Sequence, residues 1–372
     1  HAQSIRAMLG PLGMAGQLGG ADNATRVALL TGSMSAQQKR DVRDVVASGE
    51  AGIVIGTHAL LQDAVEFDRL GMVVVDEQHR FGVEQRDRLR AKAPDGMTPH
   101  LLVMTATPIP RTVALAVYGD LEISTLRELP RGRQPITTNT IFVSQKPAWL
   151  DRAWARIVEE VQAGRQAYVV ASRIDEDDKP GSDKTAKKVK KDAKESGPPP
   201  ITVVELLARL QRGPLAGLRL GLMHGRLPSD EKDAVMAAFR AGEIDVLVCT
   251  TVVEVGVDVP NATVMAVMDA DRFGISQLHQ LRGRVGRGEH HSLCLLATNL
   301  PEESKAGHRV KAVASTQDGF KLAELDLSER SEGDVLGLHQ SGRAITLRFL
   351  SLARHYDIIR AAKELCESVY ET

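Results

Sequence analysis

The sequence predicts an α/β protein with two parallel-sheet lobes and a mainly helical C-terminal extension, and three observations carry that prediction. Short apolar runs alternate with helix-like stretches over residues 26–127, where "RVALLTGS", "AGIVIGTHALL", "GMVVVDEQH" and "HLLVMTATP" each read as a strand ending in a polar or glycine-containing turn. The same rhythm returns over residues 136–300 in "AYVVASRI", "LRLGLMHGRL", "IDVLVCTTVVEVGVDVP", "ATVMAVMDADRF" and "HSLCLLATNL". After residue 300 the apolar residues recur at helical spacing, ending in "LRFLSLARHYDIIRAAKELCESVY". Strands covered on both faces lose the alternation of half-exposed ones and become continuous apolar runs, as these segments are.

Taken in order, the chain opens inside an amphipathic segment, "HAQSIRAMLGPLG", which reads as the start of a fragment. The first-lobe strands follow, and their polar turns lie at the carboxyl ends, where open α/β sheets bind ligands. "LPRGRQPITT" (129–138) separates the lobes by its proline, glycine and arginine content. The expected domains are 1–130, a partial first lobe; 131–300, the second lobe; and 301–372, the helical element. Inside the second lobe, "EDDKPGSDKTAKKVKKDAKESGPPP" (176–200) is charged and nearly free of large apolar side chains. It buries too little surface to offset its ordering entropy and reads as a disordered insertion, with a basic DNA-contacting flap as the second reading.

Lys and Arg number 47 against 48 Asp and Glu, a formal charge of −1, so binding to a polyanion must use local patches. The three cysteines, Cys249, Cys294 and Cys366, are widely spaced and form neither a disulfide framework nor a ligand cluster. With no apolar run long enough to span a bilayer and no signal-peptide pattern, the expected compartment is the cytoplasm.

The chemistry begins at "VVVDEQHRFG" (73–82), an apolar strand that ends in Asp76 and Glu77. That arrangement suits a magnesium ion and an attacking water beside a nucleoside triphosphate. A hard cation needs oxygen ligands, and a second carboxylate can take the water's proton. Four residues alone do not separate this from an ordinary acidic turn. Three further stretches do: "VMTATPIPRT" (103–112), with small hydroxyl residues at a strand end; "TTVVEVGVDVP" (250–260), a glycine-flexed loop bearing Thr250, Thr251, Glu254 and Asp258; and "QLHQLRGRVGRG" (277–288). In the last, Arg284 and Arg287 fall three apart, one helical turn. Glycines beside them leave room for a phosphate, so the pair could stabilise charge developing in phosphoryl transfer.

In this order the stretches resemble the motifs of superfamily 2 helicases and translocases: "DEQH" motif II, "TATP" motif III, 250–260 motif V and "QLRGRVGR" motif VI. "DEQHRFGVEQR", "TATPIPRT" and "YGDLEISTLRELPRGRQPITT" are similar to the RecG family of bacterial fork-remodelling helicases, more than to the Mfd coupling factors, the runner-up. The resemblance implies two RecA-like lobes, ATP and Mg2+ as cofactors, and an ATP-dependent translocase acting on branched double-stranded DNA such as forks and Holliday junctions. It implies a motor thought to act as a monomer, away from membranes, with single-strand-binding protein as a candidate partner.

Carried over residue by residue, the resemblance makes Asp76 the magnesium ligand through water, Glu77 the general base, and Arg284 with Arg287 arginine fingers. His79 and Gln280 couple the lobes, and Glu254, Gly256 and Asp258 face the nucleotide. Thr31, Gly32, Ser33, Thr57, His58, Thr250 and Thr251 line the DNA track, holding phosphates without reading sequence. Residues 316–342 resemble the translocation element after motif VI, with Arg330 and Gln340 in its characteristic positions. "RSEG" and "LHQSG" depart from the family's wording there and put loop geometry in doubt. A non-catalytic DNA- or protein-binding module of the same ancestry is the reading from a different class; it has no chemical need for a base and fingers.

No Gly-Lys dipeptide occurs in the 372 residues, so the phosphate-cradling loop G-x-x-x-x-G-K-[ST] is absent from them. The chain by itself is therefore expected to lack ATPase activity.

Overall fold

Residue patterns and observed strands agree most closely in the second half of the chain. The computed structural model describes residues 1–76, 88, 91–93, 98–105, 122–126, 128, 134–174, 200–251, 258–329 and 356–370. It divides into two units, 1–106 and 107–372.

In the first unit, helix α1 (Ala2–Leu9) precedes strand β1 (Val27–Leu30), helix α2 (Ala36–Ala47), strand β2 (Ile53–Gly56), strand β3 (Met72–Val75) and strand β4 (His100–Val103). β1 and β2 are joined through α2 and pair in parallel, Leu30 opposite Gly56; β3 and β4 form a second parallel pair, Val75 opposite Val103. Helix α2 starts sharply because Ser35 accepts from the Gln38 amide at 3.2 Å while the Gln38 side chain accepts from the Ser35 amide at 3.0 Å. That exchange satisfies two otherwise unpaired N–H groups of the first turn. Leu30, Val46 and Val65 make the core of this half.

The continuous apolar runs of the first lobe predict strands covered on both faces. Instead Met72 and Val74 of β3, with Leu102 and Met104 at β4, are 57, 53, 44 and 40% exposed and leave one face of that pair open. A continuous apolar run records that a strand suits double burial; what covers it depends on elements elsewhere, and none among the described residues does so.

In the second unit, strand β5 (Ile136–Phe142) leads into helix α3 (Pro147–Gln162), strand β6 (Gln166–Val170), helix α4 (Val203–Arg212) and strand β7 (Leu220–Met223). Helix α5 (Ser229–Arg240), strands β8 (Val246–Cys249) and β9 (Ala262–Val267), helix α6 (Ile275–Arg282) and strand β10 (Ser292–Thr298) complete the sheet. Helices α7 (Lys305–Ser315), α8 (Gly319–Glu329) and α9 (Tyr356–Tyr370) follow. The six strands are parallel in the order β5-β10-β9-β6-β8-β7.

Here double burial is realised. Ala167 and Val169 of β6 pack with Trp154 and Ile157 of α3 and Leu206 of α4. Tyr168 and Val170 point the other way, among Phe239 of α5, Leu278 of α6 and Val310 of α7. The polar group buried on the α3 side, Glu160, is paired with Arg156 and Arg165 and accepts from the Thr263 hydroxyl at 2.7 Å, as a charge in that setting must be. Among the described residues no helix is long and apolar enough to cross a membrane.

The expected disordered insertion, 176–200, lies outside the described residues except for Pro200, but its flanks are informative. Arg173 and Thr202 form a parallel bridge, and the Val203 amide donates to the Arg173 carbonyl at 2.8 Å. Beside them Asp269, in the left-handed region at φ 49°, accepts from the Ile201 amide at 3.0 Å. The chain thus leaves and returns at neighbouring points held by their own hydrogen bonds. Limited digestion is expected to cut within 176–200 first, and deleting the segment is expected to leave the thermal midpoint close to wild type. Weaker DNA binding with a shallower salt dependence in the deletion would instead assign the lysines between 184 and 194 to phosphate contacts.

Candidate functional site

In the first unit the polar turns after β1, β2 and β3 all lie at the carboxyl ends of parallel strands, as the sequence reading required. The Thr31 and Ser33 hydroxyls are 3.2 Å apart, and Lys39 reaches back from α2 to donate to the Gly32 carbonyl at 2.7 Å. Thr57 is next to this turn, its amide donating to the Leu30 carbonyl at 3.4 Å, and it is exposed at the head of the short turn His58–Leu61. Gly56 permits the approach, because a Cβ there would lie 2.4 Å from the Leu30 oxygen. Two hydroxyl-bearing turns on adjacent strands therefore form one polar patch.

Asp76 directly follows β3, and a cavity of about 810 Å³ has both Thr57 and Asp76 in its lining, together with Val54 and Val73. The Asp76 side chain is 42% exposed, with His1 Nε2 3.1 Å from its carboxylate. An accessible carboxylate at a strand mouth fits a hard cation. Among the described residues no group of three His, Cys, Asp or Glu is placed to hold a metal, so such an ion would complete its shell with water and phosphate oxygens. Mg2+ is commonly held in that manner. Glu77 and His79 lie outside the described residues.

In the second unit the expected residues fall on two opposite edges of one sheet. At the carboxyl edge, Thr250 and Thr251 follow β8. Thr250 is buried, its amide donating to the Met223 carbonyl at 3.2 Å, and Thr251 is half-buried. The turns flanking them in strand order are Ser172–Arg173 after β6 and His224–Arg226 after β7, the latter braced by Lys232 donating to the Gly225 carbonyl at 2.7 Å. The sequence reading passed over "HGR" at 224–226; its position directly after an apolar strand was the signal available.

At the amino edge, Asp258 precedes β9 and the 283–288 turn precedes β10. Here the structure corrects one expectation. Helix α6 ends at Arg282, Gly283 caps it and Gly286 has φ +75°, so Arg284 and Arg287 do not share a helical face. The glycines of the turn also have a packing reason. A Cβ on Gly286 would meet Ile136 at 2.7 Å and one on Gly288 would meet the Pro260 oxygen at 2.4 Å. They let the turn close onto the sheet, where the Gly286 amide donates to the Ser292 hydroxyl at 3.0 Å. Three residues of spacing look the same in a helix and in such a turn.

The closure brings Arg287 Nη1 within 3.3 Å of Asp258, while its Nε donates to the Gly283 carbonyl at 3.2 Å. Arg284 and Gln280 are half-buried nearby in the chain. The 250–258 segment joins the Thr250–Thr251 edge to this one. Glu254 and Gly256, within it, lie outside the described residues.

Arg282 was not singled out from sequence, yet it is 3% exposed and donates to the Val313 and Thr316 carbonyls at 2.8 Å each, with His279 Nδ1 2.6 Å from its Nη2. Burial lowers its pKa, and the carbonyls it caps are those left open at the end of α7. Ser276 of α6 reaches Asp326 of α8 at 3.4 Å, so the helix before the arginine turn is fastened to two helices of the C-terminal element. Arg330 and Gln340 lie outside the described residues.

Three comparisons bear on this arrangement. Residues 15–116 match the DEAD/DEAH box helicase family, 198–289 the helicase conserved C-terminal domain, and 316–372 the family described as ATP-dependent DNA helicase RecG, domain 3, C-terminal. The ATP-dependent DNA helicase RecG of Mycobacterium tuberculosis is 71% identical over 371 residues, covering all of this chain and 49% of that protein. The Bacillus subtilis protein of the same name is 48% identical over 316 residues, 85% of this chain and 42% of that one. A solved structure of RecG bound to a three-way DNA junction matches 98% of this chain and 41% of its own, at 35% identity and a TM-score of 0.65. The chain spans about half the length of the curated relatives it matches. With both lobes parallel-sheet and RecA-like, and with the part after motif VI matched as well, the chain belongs to the RecG helicase family.

Proposed function

We propose that this chain is the motor region of an ATP-dependent double-stranded DNA translocase that remodels branched DNA, regressing stalled forks and migrating Holliday junctions. The observation that carries the reading is the second-lobe sheet, with a hydroxyl-bearing turn after β8 at one edge and the Arg287–Asp258 pair before β9 and β10 at the other, so that the two ends are a few residues apart in sequence. A change at the nucleotide end can reach the DNA end through one short segment. The relatives' RecG names favour this reading over an Mfd-like coupling factor or a non-catalytic module.

In the proposed chemistry Glu77 takes the proton of the attacking water, Asp76 would hold Mg2+ through water, and Arg284 with Arg287 meets charge developing on the transferred phosphoryl group. When bound, Mg2+ would supply charge neutralisation at the phosphates. Asp258, with Glu254 and Gly256, faces the nucleotide, and Arg287 must exchange Asp258 for phosphate oxygens. Thr31, Gly32, Ser33, Thr57, His58, Thr250 and Thr251 line the DNA track and hold backbone phosphates through hydroxyls and through those amides not already bonded to neighbouring strands, as the Thr57 and Thr250 amides are. His79 and Gln280 couple the lobes. The division is 1–130, 131–300 and 301–372, the last carrying the translocation element with Arg330 and Gln340, and the compartment is the cytoplasm.

The test uses a family-length protein containing this chain, with ATP turnover and regression of a labelled model fork measured side by side. Gln340→Ala is expected to keep much of the DNA-stimulated turnover and lose fork regression, because the family resemblance gives its segment a role in coupling hydrolysis to movement and none in hydrolysis itself. A proportional fall in both assays would make that element merely structural. A wild-type protein without DNA-stimulated turnover would sink the motor reading.

A further inference from the structure

Tyr168 lies in the middle of β6, opposite Leu247 of β8 and Met265 of β9, and is 0% exposed. Phe239 packs edge-on against its ring at 5.1 Å. Its hydroxyl is sealed from solvent and makes no hydrogen bond among the described residues. A buried hydroxyl without a partner costs stability that a phenylalanine of the same shape would not, so this oxygen calls for a reason beyond packing.

The surroundings supply one. Tyr168 shares its cluster with Val259, the neighbour of Asp258, and with Val285, the neighbour of Arg284. Burial pushes the phenol well above its ordinary pKa, Cys249 and Asp258 push the same way, and Arg287 and Arg284 pull it back. The group therefore stays a neutral phenol in the field of both arginines. A neutral phenol has lone pairs to offer, and a guanidinium, which has donors alone, is a natural taker.

We propose that Tyr168 is a positioning residue for the arginine turn: its oxygen, partnerless while Asp258 holds Arg287, accepts a guanidinium N–H from the Arg284/Arg287 pair when that ion pair opens toward a nucleotide. The inference rests on the hydrolysis reading above. The hydroxyl holds the turn at the moment the contact with Asp258 is given up, and its cost to the resting fold is the counterpart of that role.

Tyr168→Phe in a family-length protein is the test, with thermal midpoint, kcat and KM for DNA-stimulated ATP hydrolysis all measured. The expected result is an unchanged or higher midpoint, an unchanged KM and a kcat lowered about tenfold, the scale of one hydrogen bond to a charged group. Tyr168→Phe combined with Arg284→Ala should be no slower than Arg284→Ala alone, since the oxygen acts through the arginine turn. A kcat within twofold of wild type overturns the proposal, as does a midpoint that falls together with kcat, which would mark the hydroxyl as structural. If the wild type itself lacks DNA-stimulated turnover, the hydrolysis reading fails and takes this inference with it, an outcome distinct from an active wild type and an equally active Tyr168→Phe.

Discussion

Arg287→Ala in a family-length protein is expected to lower DNA-stimulated ATP turnover about a thousandfold while leaving the fold intact. The two halves of that expectation have different sources. The chemical half comes from the guanidinium: planar, permanently charged and able to place two N–H groups on phosphoryl oxygens, it stabilises charge that grows between ground and transition state. The structural half comes from its setting. The Arg287 side chain is 30% exposed and that of its partner Asp258 66%, so the ion pair is open to solvent screening and worth about 0–1 kcal/mol. The turn is shaped by Gly286, Gly288 and the Ser292 hydroxyl, none of which needs the Arg287 side chain. Steady-state turnover at saturating DNA, with the thermal midpoint alongside, decides the matter. A loss smaller than tenfold at an unchanged midpoint would remove Arg287 from the reaction, and fork regression must fall with turnover, in contrast to Gln340→Ala.

Glu77→Gln is expected to abolish hydrolysis, by roughly a hundred- to ten-thousandfold, and to preserve nucleotide binding. Glutamine keeps the length and the carbonyl oxygen and deletes the proton acceptor. β3 ends at Val75, which is buried, and the next residue, Asp76, already presents an accessible carboxylate at the strand mouth. Glu77 follows directly in sequence, which is what a base beside a cation-binding carboxylate requires. Binding of a fluorescent nucleotide and release of phosphate, measured on the same preparation, separate the two effects. Residual turnover above a tenth of wild type would take the base role from Glu77, and lost nucleotide binding would mean that its charge serves the ground state.

Much of this was legible in the amino-acid order. The runs "QAYVV", "VLVC" and "ATVMAV" carry no alternation, and all three strands are buried along their whole length with helices on both faces. Asp76 and Arg287 could be named as candidates because their residue types suit phosphoryl transfer and their motifs resemble a known family.

Other features required the tertiary structure. The strand order β5-β10-β9-β6-β8-β7 puts Asp258 beside Arg287, and no local spacing indicates that partnership. The same closure turned a presumed helical pair of arginines into a turn and gave the neighbouring glycines a packing reason. Arg282 read as one more basic residue until its carbonyl partners on α7 came within reach, and the Tyr168 hydroxyl read as one more aromatic in a strand. The apolar runs of β3 and β4 likewise resemble those of β6 and β8, yet Met72, Val74 and Leu102 stay exposed and nothing among the described residues covers that face. Period and capping are written in residues a few positions apart, because backbone hydrogen bonding and side-chain direction repeat on that scale. Which distant segments meet is set by the joint packing of all the elements, and a single strand's pattern is compatible with many such arrangements.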